Sequence, residues 1–221
     1  MAIVIAIDGH SAAGKSTIAR RLATRLGFIY IDSGAMYRAV ALWALRQKLD
    51  PSDTHRMEPL AQAAAITLEA DSARVLLNGE DVTEAIRAPD VSKAASLVAT
   101  IPAVRRALVE KQRAIGAQNN VVMEGLDIGS VVFPAADLKI FLDADSAERV
   151  RRRAAEVNGD SDVVSRQMRE RDQRDRTRAE APLTQAPDAV YFDSTGLSIE
   201  EVEEALLRLV RARISNGKEF D

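Results

Sequence analysis

A chain of 221 residues with 47% hydrophobic side chains can bury one α/β core with an inserted subdomain or two, but is short for two independent domains. The absence of cysteine excludes disulfides, thiolate metal sites and a cysteine nucleophile, and suits a reducing, cytoplasmic setting. A net charge of −3 gives no global reason to bind a nucleic-acid polymer or an anionic membrane, so any basic site must be local.

The chain opens on an apolar run, Ala2 to Ile7, that ends at Asp8. It is too short to span a membrane and lacks the basic flank of a signal peptide. Its continuous β-branched character instead predicts a parallel strand covered on both faces. Gly9-His10-Ser11-Ala12-Ala13-Gly14-Lys15-Ser16 follows, and then Thr17. Apolar Ile18, Ala19, Leu22, Ala23 and Leu26 recur on one helical face, and Gly27 closes that helix. A glycine-rich loop with Lys-Ser at its end, set between strand and helix, is a phosphate-binding loop. Its backbone amides and the helix N-terminus face phosphate oxygens, Lys15 reaches the β and γ phosphates, and Ser16 can hold Mg²⁺. ATP with magnesium is therefore the expected donor. His10 and His55 are expected as solvated loop residues rather than acid or base catalysts, because phosphoryl transfer proceeds mainly by positioning and charge neutralisation.

Phe28 to Ile31 predicts a second strand and Ala35 to Gln47 a second helix, with right-handed crossovers. Between Asp50 and Pro89 the pattern changes. A short helix over Leu60 to Ala65 precedes two strands, Ile66 to Glu69 and Arg74 to Leu77, joined by a turn, as an inserted β segment. Helices are expected over Val91 to Ala99 and Ala103 to Gly116, and strands over Val121 to Met123, Leu138 to Leu142 and Ala189 to Phe192. Ser146 to Glu180 reads as charged helix, and Ser198 to Asn216 as a final helix opened by a Ser198–Glu201 capping box.

Several further motifs agree in order and spacing: Asp32-Ser33-Gly34-Ala35-Met36-Tyr37-Arg38, Asn78-Gly79-Glu80-Asp81-Val82-Thr83, Ala94-Ala95-Ser96 with Arg105, Glu124-Gly125-Leu126-Asp127-Ile128-Gly129 leading to Val131-Val132-Phe133-Pro134, and Arg171 through Arg178. On these residues the chain resembles the bacterial cytidylate kinases, a branch of the nucleoside monophosphate kinases, over nearly its whole length. The resemblance implies a three-layer α/β/α phosphate-loop kinase built as a single domain over residues 1–221, with an inserted CMP-binding segment near 60–90 and a lid near 150–180. It implies CMP or dCMP as acceptor. Ser33, Tyr37 and Arg38 would bind that acceptor, Ser96, Arg105 and Asp127 would read the base, and Arg171, Asp175 and Arg178 would close over sugar and phosphates. A monomer is expected.

Chemistry supports the base assignment, since cytosine offers an N4 amino donor to a carboxylate where uracil offers an acceptor. A site built for that hydrogen bond can discriminate by roughly 10⁴. The Asp127 carboxylate could instead cap the turn between Gly125 and Gly129. Ser146 to Glu180 holds ten of the chain's 24 arginines and eight acidic residues. Arg166 with Glu170, Glu170 with Arg174, and Asp172 with Arg176 suit ordinary i,i+4 pairs. Arg171, Asp175 and Arg178 share one helical face suited to gripping phosphate, with Arg174 an adjacent candidate for transition-state charge.

Two departures from the family pattern stand out. Leucine occupies position 126, where the family usually carries an arginine against the acceptor phosphate, and the loop has His10 and Ala12 where proline and a further glycine are usual. Losing one charge-assisted hydrogen bond could lower acceptor use about 10- to 100-fold. Two other readings remain open: a kinase for another small acceptor, such as a shikimate-like metabolite, and a nucleotide-binding protein with catalysis impaired by Leu126. A GTPase switch lacks its Asn-Lys-x-Asp motif.

Overall fold

The computed structural model describes residues 2–69, 74–178 and 180–214. In chain order its elements are β1 (Val4–Asp8), α1 (Lys15–Leu26), β2 (Ile29–Asp32), α2 (Ser33–Arg46), α3 (Thr54–Ala63), β3 (Ile66–Leu68), β4 (Val75–Leu77), β5 (Glu80–Asp81), α4 (Pro89–Val98), α5 (Pro102–Gln118), β6 (Val121–Gly125), β7 (Leu138–Asp143), α6 (Ser146–Val157), α7 (Ser161–Thr177), β8 (Val190–Asp193) and α8 (Ile199–Ile214).

Side chains of the first strand point alternately to its two faces, so a strand of unbroken apolar character must be covered twice. Ile3, Ile5 and Ile7 meet Ile18 and Leu22 of α1 and Leu206 and Val210 of α8. Val4 and Ala6 pack on the other side with Met123, Val109 and Ile128. The result is a three-layer sheet in the order β2-β6-β1-β7-β8, with every pairing parallel. β1 lies between β6 and β7, so the loops leaving the carboxyl ends of these three strands converge over one crevice, the place where open parallel sheets bind ligands.

The boundaries differ from expectation where caps and breakers act. Asp32 accepts from the Ala35 amide at 2.9 Å, which starts α2 at Ser33 rather than Ala35. Asp53 caps α3 through the His55 and Arg56 amides, and the helix runs through Pro59 to Ala63 instead of covering Leu60 to Ala65. The inserted segment carries a third antiparallel strand, β5, beyond the Asn78-Gly79 turn. The expected turn between the first two strands falls on residues 70–73, and the last two residues of the expected final helix are 215 and 216; both lie outside the described residues. The capping box at Ser198 and Glu201 forms in both directions, at 2.8 and 3.2 Å.

The largest correction concerns the charged segment. It is two helices, because Asn158 adopts φ 48° at the end of α6 and Asp160 caps α7. Ala154, Val164 and Met168 form a small apolar contact between the helices, joined by Val150 and Ala12. Among the described residues the three expected i,i+4 pairs are replaced by others. Asp172 reaches across to Arg149 of α6 at 2.9 Å, and Arg174 donates to the Glu170 carbonyl rather than its carboxylate.

Candidate active site

Gly9 leaves β1 at φ 147°, and a Cβ there would collide with the Leu142 carbonyl oxygen of β7, so no other residue can begin the loop at this place. Ala12 (φ 62°) and Gly14 (φ 95°) turn the chain back into α1. Lys15 is 9% exposed, and its Nζ donates to the His10 carbonyl at 2.8 Å. Burial pushes its pKa down, while Glu124 opposes the shift. A buried ammonium beside a turn of backbone amides at a helix N-terminus is suited to holding an anion. The loop is further held from α6. Arg149 donates to the Ser11 carbonyl and Arg152 to the Ala13 carbonyl, at 3.2 and 3.3 Å. Neither arginine was legible as a loop partner, since only the hairpin packing brings residues about 140 positions away into reach.

Beside the loop stand two carboxylates that the motifs contained but that sequence reasoning gave no role. Glu124, at the end of β6, is 4% exposed; it accepts from Tyr30 Oη at 2.8 Å and from Ser16. Burial, then Asp32, pushes its pKa up. Asp8 is 5% exposed and accepts the Ile128 and Gly129 amides, both at 2.7 Å. Desolvation raises its pKa to about 6. Asp8 thereby ties the residue before the phosphate loop to the short π-helical turn, Ile128 to Val132, that follows Asp127. The turn's amides are thus capped by Asp8, which leaves the Asp127 carboxylate free of that task.

Asp127 is 6% exposed and forms a buried ion pair with Arg105, while Arg178 Nη2 lies 3.5 Å from its other oxygen. The Arg105 guanidinium sits over the Tyr37 ring, 5.9 Å from its centre, and burial pushes the Tyr37 phenol up to about 12. Tyr37, Arg105, Asp127 and Arg178 therefore form one cluster drawn from four separate parts of the chain. A carboxylate has about four lone-pair positions, so Asp127 retains capacity for another donor. Ser33 begins α2 with its hydroxyl on the Glu124 carbonyl at 2.7 Å. It fits only because residue 125 is glycine, where a Cβ would lie 2.5 Å from the Ser33 Oγ. Arg38 donates to Asp32 at 2.6 Å.

Arg38 Nε, Arg171 Nε and Arg178 Nη2 are buried and have no hydrogen-bond partner among the described residues. Buried donors are nearly always paired. Three guanidinium groups, contributed by α2, α7 and the residue after α7, thus each keep one buried nitrogen that could donate to an anion. Arg171 has only a distant partner in Asp175 at 3.7 Å, and burial pushes the Asp175 pKa up.

Two expected residues are hydrogen-bonded within their own helices rather than to this cluster. Ser96 donates to the Ser92 carbonyl at 3.3 Å within α4, the back-bonding common for a helical serine. Arg174 is exposed. The α7 residue that does touch the loop is Arg176, which donates to His10 Nε2 at 2.8 Å. His55 is exposed as expected, but His10 is 7% exposed and held by Asp143 at 3.1 Å, which corrects its reading as solvated. The side wall built by β7 and the lid excludes water from a position that looks, in sequence, like an open loop.

The family model described as cytidylate kinase matches residues 5–212. Over 99% of its length the chain is 62% identical to a cytidylate kinase of Solibacter usitatus, of which it covers 96%. A cytidylate kinase of Pelotomaculum thermopropionicum is 49% identical over 97% of the chain and 96% of that protein. In fold, the chain is similar to an uncharacterized protein of Eubacterium ventriosum, at 9% identity with a TM-score of 0.56, covering 96% of this chain and 99% of that one.

Proposed function

The chain belongs to the cytidylate kinase family, and from that premise we propose that it transfers the γ-phosphoryl group of ATP to CMP or dCMP, giving ADP and CDP or dCDP. The observation that carries the site assignment is the set of buried, unpaired donors on Arg38, Arg171 and Arg178, facing the same region as Lys15. One kinase domain carries the reaction, with α3 to β5 as the acceptor-binding insertion and α6 with α7 as the lid.

The loop amides and Lys15 hold the donor phosphates, and anion binding restores the charge on a lysine that burial otherwise disfavours. Arg38, Arg171 and Arg178 receive the acceptor phosphate and the transferring group. Asp127, steadied by Arg105, accepts the cytosine N4 amino group, and Tyr37 walls the pocket. Ser16 with Glu124 suits magnesium: the two are hydrogen-bonded, both offer oxygen, and burial pushes the Glu124 pKa up even with Lys15 opposing the shift. Among the described residues no three acidic or imidazole groups cluster, and magnesium needs only one or two protein oxygens beside phosphates and waters. Held by Ser16 and Glu124, magnesium would supply positive charge that offsets the charge developing on the phosphates. Lid closure excludes water and so limits ATP hydrolysis.

A coupled assay of ADP release across CMP, dCMP, UMP, AMP and shikimate tests the reading. CMP or dCMP should exceed UMP by about 10³ or more in kcat/KM, and equal rates for CMP and UMP would remove Asp127 from base selection. The acceptor side departs from the family at half-buried Leu126. Leu126→Arg should raise kcat/KM for CMP about tenfold, and no change would mean that Arg38 or Arg178 already supplies that charge. Among the described residues no helix is long and apolar enough to cross a membrane, in keeping with an enzyme acting on small nucleotides in the cytoplasm as a monomer.

A further inference from the structure

The His10 side chain is hydrogen-bonded on both ring nitrogens, to Arg176 of α7 on one side and to Asp143 at the end of β7 on the other. Its Nε2 lies 2.8 Å from Arg176 Nη2, and a guanidinium can only donate, so Nε2 must be the unprotonated acceptor. Nδ1 then carries the hydrogen and donates to Asp143 Oδ1 at 3.1 Å. Asp143 is itself fixed by the Ala144 amide at 2.9 Å and by Tyr191 Oη at 3.3 Å. The imidazole edge rests on the Phe141 ring, which stacks on Tyr191. This wall leaves the ring one orientation and one tautomer. On the lid side, Arg176 is exposed apart from this contact, and α7 is anchored to α6 by few apolar side chains.

We infer that His10 is a positioning residue that latches the lid onto the phosphate loop, and that the latch holds only while the imidazole is neutral. This rests on the assignment of α6 and α7 as the lid of the kinase. Protonating Nε2 would turn the acceptor into a donor facing a permanent cation, so the contact changes from attraction to repulsion. The groups facing His10 oppose one another. Asp143, with Tyr191 behind it, favours the charged ring, and Arg176 disfavours it. Lys15 and Arg149 add positive charge at the loop carbonyls of His10 and Ser11. Protonation of the ring would therefore release the latch and weaken closure over the donor phosphates.

The test compares kcat/KM for ATP, with saturating CMP, in the full-length wild type, His10→Gln, Arg176→Ala and the double variant from about pH 5 to 8. A glutamine oxygen can still accept from Arg176 but does not titrate. The ratio of His10→Gln to wild type should therefore rise about tenfold from high to low pH, the size expected for one charge-assisted hydrogen bond. Titration of the nucleotides and of Asp8 is common to both enzymes and cancels in that ratio. At high pH Arg176→Ala should lose about tenfold, and adding His10→Gln should cost nothing more. A flat ratio across pH, or a further loss when His10→Gln is added to Arg176→Ala, overturns the latch. Arg176 is exposed, so its variant tests the coupling even if changes at buried His10 impair folding. A wild type without CMP-dependent turnover would instead refute the kinase assignment.

Discussion

The floor and the lid of this site are built by opposite means. The floor is β1 and its loop, where Ile5, Ala6 and Ile7 are fully buried and Gly9 fits against the β7 backbone with no room for a side chain. The lid rests on three buried apolar residues and is otherwise tied down by charges: Arg149 to Asp172, Arg149 and Arg152 to loop carbonyls, and Arg176 to His10. Apolar packing is insensitive to what occupies the site. A guanidinium, by contrast, can exchange a carbonyl or carboxylate for a phosphate at little net cost, since both states keep charge-assisted hydrogen bonds. A kinase needs this division of labour, with a phosphate cradle that does not move beneath a cover whose attachments the substrates can replace.

The largest effect should come from the floor. Lys15→Ala should lower kcat/KM about 10³-fold, as expected for removing one preorganised charge from the reacting phosphates. The melting temperature should not fall, because a buried ammonium whose pKa burial depresses contributes little to folding in the empty enzyme. A lid residue whose removal matters as much would break the distinction.

Asp8 comes next, and it separates stability from function within the floor. Its folded pKa, about 6, lies above the ordinary aspartate value of 3.8. Folding therefore favours the protonated form. The stability associated with Asp8 is fully present below about pH 4 and is lost as pH rises through about 6, by up to roughly 3 kcal/mol. Thermal melts from pH 4 to 8 should show this loss in the wild type and a smaller one in Asp8→Asn. The variant should nevertheless bind CMP less well, because one amide of the Ile128–Gly129 pair loses its acceptor and the turn carrying Asp127 loosens. A variant with the same pH dependence as the wild type would place the titration elsewhere.

The lid's apolar contact gives a local effect. Met168→Ala should destabilise the α6–α7 hairpin by about 2 kcal/mol, toward the low end for a core methionine because the cluster is small. Hydrogen exchange should accelerate over residues 161–177, while the amides of β1 and β6 keep their protection. Equal acceleration throughout would mean that lid and floor unfold as one unit. The smallest effect is expected at Arg174. Exposed and bonded only to its own helix, it should change kcat/KM by less than about twofold on substitution with alanine. Arg171→Ala and Arg178→Ala, on the inward face, should cost far more in the same assay.

Much of the fold was legible because it is written locally. The β-branched run, the glycine-lysine-serine loop and the amphipathic helix after it lie consecutively, and α1 begins and ends where the periodicity and Gly27 place it. Less legible were features set by single caps and breakers, such as the start of α3 at Thr54, ahead of Pro59, and the split at Asn158, where a polar residue competes with a helical charge pattern. The site divides the same way. Lys15 and the loop stand in sequence order with a mechanism attached, and the spacing of Arg171, Asp175 and Arg178 placed them on one face.

By itself, then, the sequence determined the phosphate loop, the layered α/β class and the cytidylate kinase resemblance, since periodicity, turn chemistry and motif order are properties of neighbouring residues. Only the tertiary structure decided which arginine of α7 meets the phosphate loop. It set Arg176 rather than Arg174 against the loop, turned His10 from an expected solvated side chain into a buried bridge, and gave Asp8 and Glu124 their partners. The reason is physical: a charge acts through the distance and dielectric around it, and both are fixed only when strands and helices remote in the chain close on one another.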